Sequence, residues 1–141
     1  MTITPHNSVT PVLRRLRVLV IDDEPMIGLM IARMLGPAYD VTCAYDGAAG
    51  LEQVRDDAAF DLVLCDLMMP VLTGMDVYGA LADRGSIHAQ TLIFLTGGVF
   101  VGHAGQFLSN VVNPCLEKPF MAAELRTLVH HVVARHRLGE R

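Results

Sequence analysis

Short apolar runs alternate along this chain with segments in which apolar residues recur at helical spacing. The longer runs are rich in aliphatic and β-branched side chains and lack a consistently polar face. This pattern is typical of strands that are buried on both sides, as they are in parallel sheets. The predicted strands are 16–21, 41–44, 62–65, 91–95 and 115–117.

A helix is predicted after each strand. The first begins at Pro25, whose fixed φ suits the first helical position, and ends before Gly36. The third begins at Thr73 or Gly74, and the fourth is short and ends near Leu108. The apolar faces of the second and fifth helices are formed by Ala48, Leu51, Val54 and Ala58, and by Met121, Leu125, Leu128, Val129, Val132 and Val133. Five strands alternating with five helices predict an α/β fold, a doubly wound parallel sheet with helices on both faces.

The length and composition of the chain restrict its class. Its 141 residues suffice for one domain, and no apolar run approaches the ~20 residues that span a bilayer. Residues 1–10 lack the charged-then-apolar layout of a secretory signal, so we expect a cytoplasmic protein without membrane contact. The net charge of −4 argues against nucleic-acid binding. We predict a disordered leader at 1–14, one domain at 15–138 and a tail at 139–141.

Polar residues stand at the ends of four of the five predicted strands. Asp22 and Asp23 follow the first strand, Asp66 the third, Thr96 the fourth and Lys118 the fifth. The carboxyl ends of parallel strands meet at one edge of the sheet, where open α/β sheets bind their ligands. We therefore predict that three carboxylates, a hydroxyl and an ammonium converge at this edge.

These residue types suit phosphoryl transfer. Crowded carboxylates repel one another unless a cation neutralises them, and Mg²⁺ binds oxygen ligands in open sites. A carboxylate beside such an ion can act as a nucleophile toward a phosphoryl group. Lys118 would offset charge on the phosphoryl oxygens, and Thr96 would donate a hydrogen bond to one of them. Helix capping by Asp22, Asp23 or Thr73 is the alternative for each residue alone, but it does not explain four strand ends at once.

Several other polar residues receive no functional role. His88 and His103 are expected in a loop and on a helix surface. The histidines of the last helix are predicted to be solvated, because adjacent helical positions do not share a face: His130, His131 and His136. The basic residues before the first strand and at its start are also predicted to be solvated: Arg14, Arg15 and Arg17. The cysteines are predicted to be reduced core residues: Cys43, Cys65 and Cys115.

The segments around the strand ends resemble the receiver domains of bacterial response regulators. The matching segments are Val18–Pro25, Asp66–Pro70 followed by Gly74, Leu95–Gly97 and Glu117–Phe120. The resemblance covers roughly residues 16–138 and implies a flavodoxin-like strand order of 2-1-3-4-5. Segments 95–98 and 113–120 are most similar to receivers attached to hybrid histidine kinases.

The resemblance implies a role for each matched position. Asp66 would be the phosphoacceptor, Lys118 would contact the phosphoryl group and Thr96 would be the switch hydroxyl. Mg²⁺ is the implied cofactor. Its implied ligands are the carboxylates of Asp23 and Asp66, the backbone carbonyl of Met68 and, through a water, Asp22. The Lys118–Pro119 bond is expected to be cis, an isomer that proline permits at modest cost.

Two positions depart from the family pattern. Cys115 stands three residues before Lys118, where many members carry an aromatic residue that turns inward when the threonine moves. Met68 stands where members often carry a polar side chain, and it could alter the access of water to a phosphorylated site. Gly97 and Gly98 act in the opposite sense, because they leave space beside the switch threonine. The lifetime of the phosphoryl group is therefore left open.

The resemblance also implies partners. A sensor histidine kinase, in the same chain or a separate one, would donate the phosphoryl group. An unidentified downstream protein would then bind the surface of the fourth helix, fifth strand and fifth helix. A homodimer is left open. We expect a regulatory domain that promotes only its own phosphorylation and dephosphorylation, not an enzyme.

Two other functions compete with this interpretation. A related aspartate-nucleophile phosphatase would need a second acid two residues after the nucleophile, where Met68 stands, and a cap over the site. A phosphorylation-independent scaffold would keep the fold without the chemistry, and the residues at positions 68 and 115 keep this alternative open. Competence to accept a phosphoryl group distinguishes the scaffold from the phosphoacceptor.

Overall fold

Strands and helices alternate along the described part of the chain, as predicted. The computed structural model describes residues 14–57, 59–98 and 102–137, so the predicted tail, and the predicted leader apart from Arg14, lie outside the described residues. The strands are β1 (Leu16–Ile21), β2 (Tyr39–Ala44), β3 (Leu62–Asp66), β4 (Leu92–Thr96) and β5 (Cys115–Glu117). The helices are α1 (Pro25–Leu35), α2 (Gly47–Asp56), α3 (Gly74–Asp83), α4 (Gly102–Ser109) and α5 (Ala122–Arg137), with a 3₁₀ helix at Ile87–Ala89. Within these ranges no helix has the length and apolar character needed to cross a membrane.

The five strands form one parallel sheet in the order β2-β1-β3-β4-β5. This order confirms the doubly wound fold that the sequence pattern and the family resemblance predicted. The winding changes direction between β1 and β3, where sheets of this kind open a ligand crevice beyond the strand ends. Asp66 and Thr96 are the last residues of β3 and β4, so the strands themselves place both residues at the crevice.

Apolar side chains leave the sheet on both faces and form two cores. Val18 and Val20 pack with residues of α1 and α5, whereas Leu19 and Ile21 pack with residues of α2 and α3. All four are essentially inaccessible to solvent. Because each fully buried side chain of this size contributes about 1.5–3 kcal/mol, the register of the sheet is strongly fixed. The register of the strands therefore determines which residues stand at the carboxyl edge.

The two helices α1 and α3 begin at this edge in different ways. Thr73 and Asp76 form a capping box at the start of α3: the Asp76 N–H donates to Thr73 Oγ1 at 3.2 Å, and the Thr73 N–H donates to the Asp76 carboxylate at 2.9 Å. Glu24 occupies the N-cap position of α1 without a side-chain bond to the helix. The alternative in which Asp22 or Asp23 caps α1 is therefore wrong.

The basic residues around the start of β1 are ion-paired, which the sequence analysis did not predict. Arg17 pairs with Asp57 at 2.6 Å, and its guanidinium lies 4.8 Å from the centre of the Phe60 ring. Arg14 pairs with Asp61 at 2.7 Å. The hydrogen bond from Arg17 lowers the pKa of Asp57 below its usual range. These pairs attach β1 to the connection between α2 and β3, opposite the crevice.

Predictions for individual side chains are wrong at several positions. Ala48 and Met121, which the helical spacing predicts on apolar faces, are exposed. His88 is buried, with Nε2 3.0 Å from the carbonyl oxygen of Phe60 and Nδ1 3.1 Å from Ser86 Oγ. Because these two hydrogen bonds satisfy the ring nitrogens, the ring can leave the solvent. Cys115 is exposed on the edge strand β5, whereas Cys65 is buried as predicted. The other described histidines are exposed, as predicted: His103, His130, His131 and His136.

Candidate functional site

The sheet brings the ends of four strands to one edge. Asp22 and Asp23 follow β1, Asp66 and Thr96 close β3 and β4, and Lys118 follows β5. Because β3 lies between β1 and β4, the residues at the ends of these strands are neighbours. The Lys118 N–H donates to the Thr96 carbonyl at 2.7 Å, which ties the end of β5 to the end of β4.

Lys118 lies among the carboxylates. Its Nζ donates to Asp22 Oδ2 at 2.8 Å and lies 3.3 Å from Asp66 Oδ1. The ammonium is also 3.8 Å from Glu24 Oε1. Only 18% of the lysine side chain is exposed, so these charge interactions are only partly screened by water. The peptide bond between Lys118 and Pro119 is cis, as the family resemblance implied.

Three carboxylates form a compact acidic group, composed of Asp22, Asp23 and Asp66. One oxygen from each lies within 4.8 Å of the other two. Asp22 and Asp66 are buried, whereas Asp23 is exposed at the opening. Asp22 is fixed by the Glu24 N–H, which donates to Oδ1 at 2.9 Å, and its own N–H donates to the Ala44 carbonyl at 3.1 Å. The acidic group is therefore open to solvent on the side of Asp23 and fixed by hydrogen bonds on the side of Asp22.

Burial and like charge dominate the electrostatics of this group. Burial and the negative charge of Asp22 raise the pKa of Asp66 to about 6, although Lys118 opposes both effects. Burial lowers the pKa of Lys118, but the hydrogen bond to Asp22 and the charge of Asp66 outweigh it and raise the pKa overall. Three carboxylates against one ammonium leave an excess of negative charge once Asp66 is ionised. The site is thus suited to bind a cation. It is also suited to a reaction in which the Asp66 carboxylate forms a covalent bond and loses its own negative charge.

The donor set fits a hard divalent cation. All of the side-chain donors are carboxylate oxygens, which Mg²⁺ and Ca²⁺ prefer over the nitrogen and sulfur ligands of zinc sites. Burial is the main cause of the raised pKa of Asp66, and the charge of Asp22 is the second; a cation would offset the effect of that charge. The exposed Asp23 side leaves room for water, which Mg²⁺ usually retains.

Gly74 brings the start of α3 directly against the end of β3. A Cβ at this position would lie 2.5 Å from the carbonyl oxygen of Asp66, too close for any other residue without a backbone shift. The Gly74 N–H also donates to the Leu67 carbonyl at 2.8 Å. The glycine that matches the receiver pattern therefore serves to fix the loop that follows Asp66.

An apolar rim borders the acidic group, and sequence reasoning missed it. Val71 is 97% exposed and has a φ of 69°, in a γ-turn spanning residues 70–72. Tyr45 is also more than half exposed. Asp23, Tyr45 and Val71 line one shallow cavity beside the carboxylates. Single exposed apolar residues leave no pattern in the sequence, so only the folded arrangement shows that they share one rim.

Sequence reasoning also assigned no role to Glu24, although it stands beside the aspartate pair in the sequence. The structure places this carboxylate within ion-pair distance of Lys118. The signal was available, because three consecutive acids after a buried strand must all project from one edge. The side chain is largely exposed, so its pairing with Lys118 is weak.

Comparison with known proteins shows what this arrangement is similar to. The family model of the response regulator receiver domain matches residues 18–130. The sensor histidine kinase TmoS of Ectopseudomonas mendocina is 32% identical over 124 residues, which are 88% of this chain and 13% of TmoS. The hybrid signal transduction histidine kinase D of Dictyostelium discoideum is 32% identical over 108 residues, which are 77% of this chain and 7% of that kinase.

Solved structures show the same architecture. The response regulator receiver domain protein from Clostridium thermocellum superposes with a TM-score of 0.75 at 28% identity. The superposition covers 87% of this chain and 98% of that protein chain. The present chain therefore matches nearly the whole of a solved receiver domain but only a small fraction of the two kinases.

Proposed function

This chain belongs to the response regulator receiver domain family of two-component systems, and from that premise we propose that Asp66 accepts a phosphoryl group. The observation that carries the proposal is the position of the Lys118 ammonium, between Asp22 and Asp66 in an otherwise acidic group. A cation at this point contacts the acceptor oxygen and attracts the oxygens of an incoming phosphoryl group.

Asp66 acts as the nucleophile in its ionised form. Its pKa of about 6 leaves it largely ionised above neutral pH, with higher basicity than an exposed aspartate. One carboxylate oxygen forms a bond to phosphorus while the bond from phosphorus to the donor nitrogen breaks. The donor nitrogen keeps the electron pair and gains a proton from solvent. Lys118 stabilises the phosphoryl oxygens, and Thr96 donates a hydrogen bond to the bound group.

The same carboxylates would hold Mg²⁺. We propose Asp23, Asp66 and the backbone carbonyl of Met68 as direct ligands, with Asp22 acting through a water. When bound, the ion would offset negative charge on the carboxylates and on the phosphoryl group. The proposal is supported by the all-oxygen donor set and by the spacing of the three carboxylates.

Receiver domains interact with histidine kinases and with downstream effectors, and we propose both kinds of partner here. The donor would be a sensor histidine kinase, in the same polypeptide or a separate one. The receiving protein would recognise the surface of α4, β5 and α5 once Thr96 has moved inward. On this proposal the domain is regulatory and promotes only its own phosphorylation and dephosphorylation. Cytoplasmic location stays a prediction.

Intact mass spectrometry tests the proposal. The full chain is incubated with acetyl phosphate and Mg²⁺, with Asp66→Asn in parallel. We expect a gain of one phosphoryl unit in the wild type, lost in the variant and lost with EDTA. If neither acetyl phosphate nor a phosphorylated histidine kinase modifies the wild type, the phosphoacceptor function is wrong and a phosphorylation-independent scaffold replaces it.

A further inference from the structure

Three aromatic rings on α3, β4 and α4 pack together near the predicted switch residue. The ring centroids of Phe94 and Phe107 are 5.5 Å apart, those of Tyr78 and Phe107 are 5.7 Å apart, and those of Tyr78 and Phe94 are 6.0 Å apart. Phe107 meets Phe94 and Tyr78 edge-on, at interplanar angles of 84° and 79°. Because edge-to-face attraction depends on ring orientation, a shift of one ring disturbs the other two. We refer to Tyr78, Phe94 and Phe107 as the aromatic cluster.

Phe107 is the largest side chain that holds α4 on the sheet. Of the described residues 102–109 of this helix, none is fully buried. Its apolar contacts with the core come from the partly buried residues Ala104, Phe107 and Leu108. Elements with few buried contacts are the ones that move at low free-energy cost. The position of α4 therefore depends strongly on how the Phe107 ring is seated.

Phe94 connects the Phe107 ring to the functional site. Phe94 and Thr96 are two positions apart in β4, so their side chains leave the same face of the sheet. Phe94 is completely buried, and the Leu95 between them accepts a hydrogen bond from the Leu67 N–H at 2.9 Å, directly after Asp66. A movement of Thr96 toward a group on Asp66 would thus be transmitted to the Phe94 ring through one short, rigid stretch of strand.

The edge strand offers no ring for this purpose. Cys115 lies beside Phe94 in the register of β4 and β5, and it is exposed and small. Cys115 stands at the position where many receiver domains carry the aromatic switch residue. It therefore has no ring to place between β5 and α4. The two rings that pack against Phe94 belong to Tyr78 on α3 and to Phe107 on α4 itself.

We infer that Phe107 is the positioning residue through which phosphorylation of Asp66 moves α4, in place of an aromatic side chain on β5. The inference rests on the proposed function, because Thr96 moves only when a phosphoryl group is present on Asp66. The displaced end of β4 changes the angle between the Phe94 and Phe107 rings, and α4 shifts until edge-on contact is restored. The aromatic cluster thereby couples the acidic site to the helix that faces a downstream partner.

Hydrogen exchange of the full chain tests this coupling. Exchange in peptides covering α4 is measured with and without acetyl phosphate in the presence of Mg²⁺, and intact mass gives the phosphorylated fraction of each sample. In the wild type we expect phosphorylation to change the exchange of α4. Phe107→Leu keeps an apolar side chain but removes the ring, so we expect normal phosphorylation without the change in α4. Phe107→Tyr restores the ring and should restore the change.

Leu108→Ala is the matched control, because Leu108 neighbours Phe107 on α4 and packs against the same core without a ring. We expect it to retain the phosphorylation-dependent change. Loss of the change in both Leu108→Ala and Phe107→Leu overturns the inference, since general loosening of α4 would then suffice. A wild-type response in phosphorylated Phe107→Leu, or no response in phosphorylated wild type, also overturns it. Absence of phosphorylation in the wild type instead overturns the proposed function, and the inference falls with it.

Discussion

Lys118 donates a hydrogen bond to the carboxylate of Asp22 at 2.8 Å, across 96 positions of the chain. It is the only lysine in the sequence, so its amine can be followed chemically without mutating others. The same ammonium lies 3.3 Å from Asp66, and its protonation therefore depends on the charge of that residue. This dependence leads to a direct test of the electrostatics of the site.

Asp66→Asn should make the Lys118 amine more reactive. The charge of Asp66 contributes to the raised pKa of Lys118, so its removal increases the fraction of free amine at mildly alkaline pH. We expect acetylation of Lys118 by acetic anhydride to accelerate roughly two- to tenfold, since one pKa unit corresponds to a tenfold change in free amine. Peptide mass spectrometry measures the rate, with the amino terminus as internal reference. Asp83→Asn, an exposed carboxylate at the end of α3, should leave the rate unchanged. An unchanged or slower rate in Asp66→Asn contradicts the prediction.

Asp66→Asn should also stabilise the metal-free protein at alkaline pH. A carboxyl whose pKa is raised by folding favours the folded state while protonated, and this contribution is lost as pH rises through the folded pKa of about 6. An amide resembles the neutral acid and avoids that loss. We expect the variant to gain up to about 3 kcal/mol in the free energy of unfolding near pH 8, with the gain vanishing below about pH 4. Urea unfolding in EDTA at both pH values measures it, and a pH-independent difference would refute the electrostatic origin.

The acidic site was predictable because each of its residues directly follows or ends an apolar run that can be recognised in the sequence. The buried run 62–65 ends at Asp66, and parallel strands must deliver such residues to one edge. His88 was mispredicted because its burial depends on a carbonyl 28 positions away, at Phe60. The contact between Phe94 and Phe107 is likewise set by how α4 lies on the sheet, which helical periodicity does not specify. Periodicity thus predicts which elements form, whereas long-range pairing decides what individual polar and aromatic side chains do.

His88→Ala should destabilise the fold away from the site. The substitution leaves the Phe60 carbonyl without its ring partner and opens a cavity in a buried position. We expect a loss of about 2–4 kcal/mol in the free energy of unfolding, from the lost hydrogen bonds and the cavity together. Chemical denaturation followed by circular dichroism measures it. His103→Ala changes an exposed residue of α4 and should cost less than about 0.5 kcal/mol. Equal losses in the two variants would show that burial of His88 is not the cause.

Two glycines of α3 allow the role of close packing at the site to be separated from helix propensity. A Cβ at Gly74 would lie 2.5 Å from the Asp66 carbonyl oxygen, whereas a Cβ at Gly79 meets no atom within 4 Å. Gly79→Ala should therefore stabilise α3 by about 0.5–1 kcal/mol, because alanine is the better helix former. Gly74→Ala should destabilise the fold by about 1–3 kcal/mol, the range for overpacking.

To make room for a Cβ at position 74, the backbone that carries Asp66 would have to move. Gly74→Ala should therefore also slow phosphorylation by acetyl phosphate, while Gly79→Ala should leave the rate unchanged. Chemical denaturation and the time course of the intact mass measure the two effects. If Gly74→Ala is as stable and as readily phosphorylated as Gly79→Ala, the contact between α3 and β3 does not position the acceptor. If Gly74→Ala is destabilised yet phosphorylated at the wild-type rate, the glycine matters for folding alone. In that case α3 moves to accept the Cβ and the backbone of Asp66 stays in place.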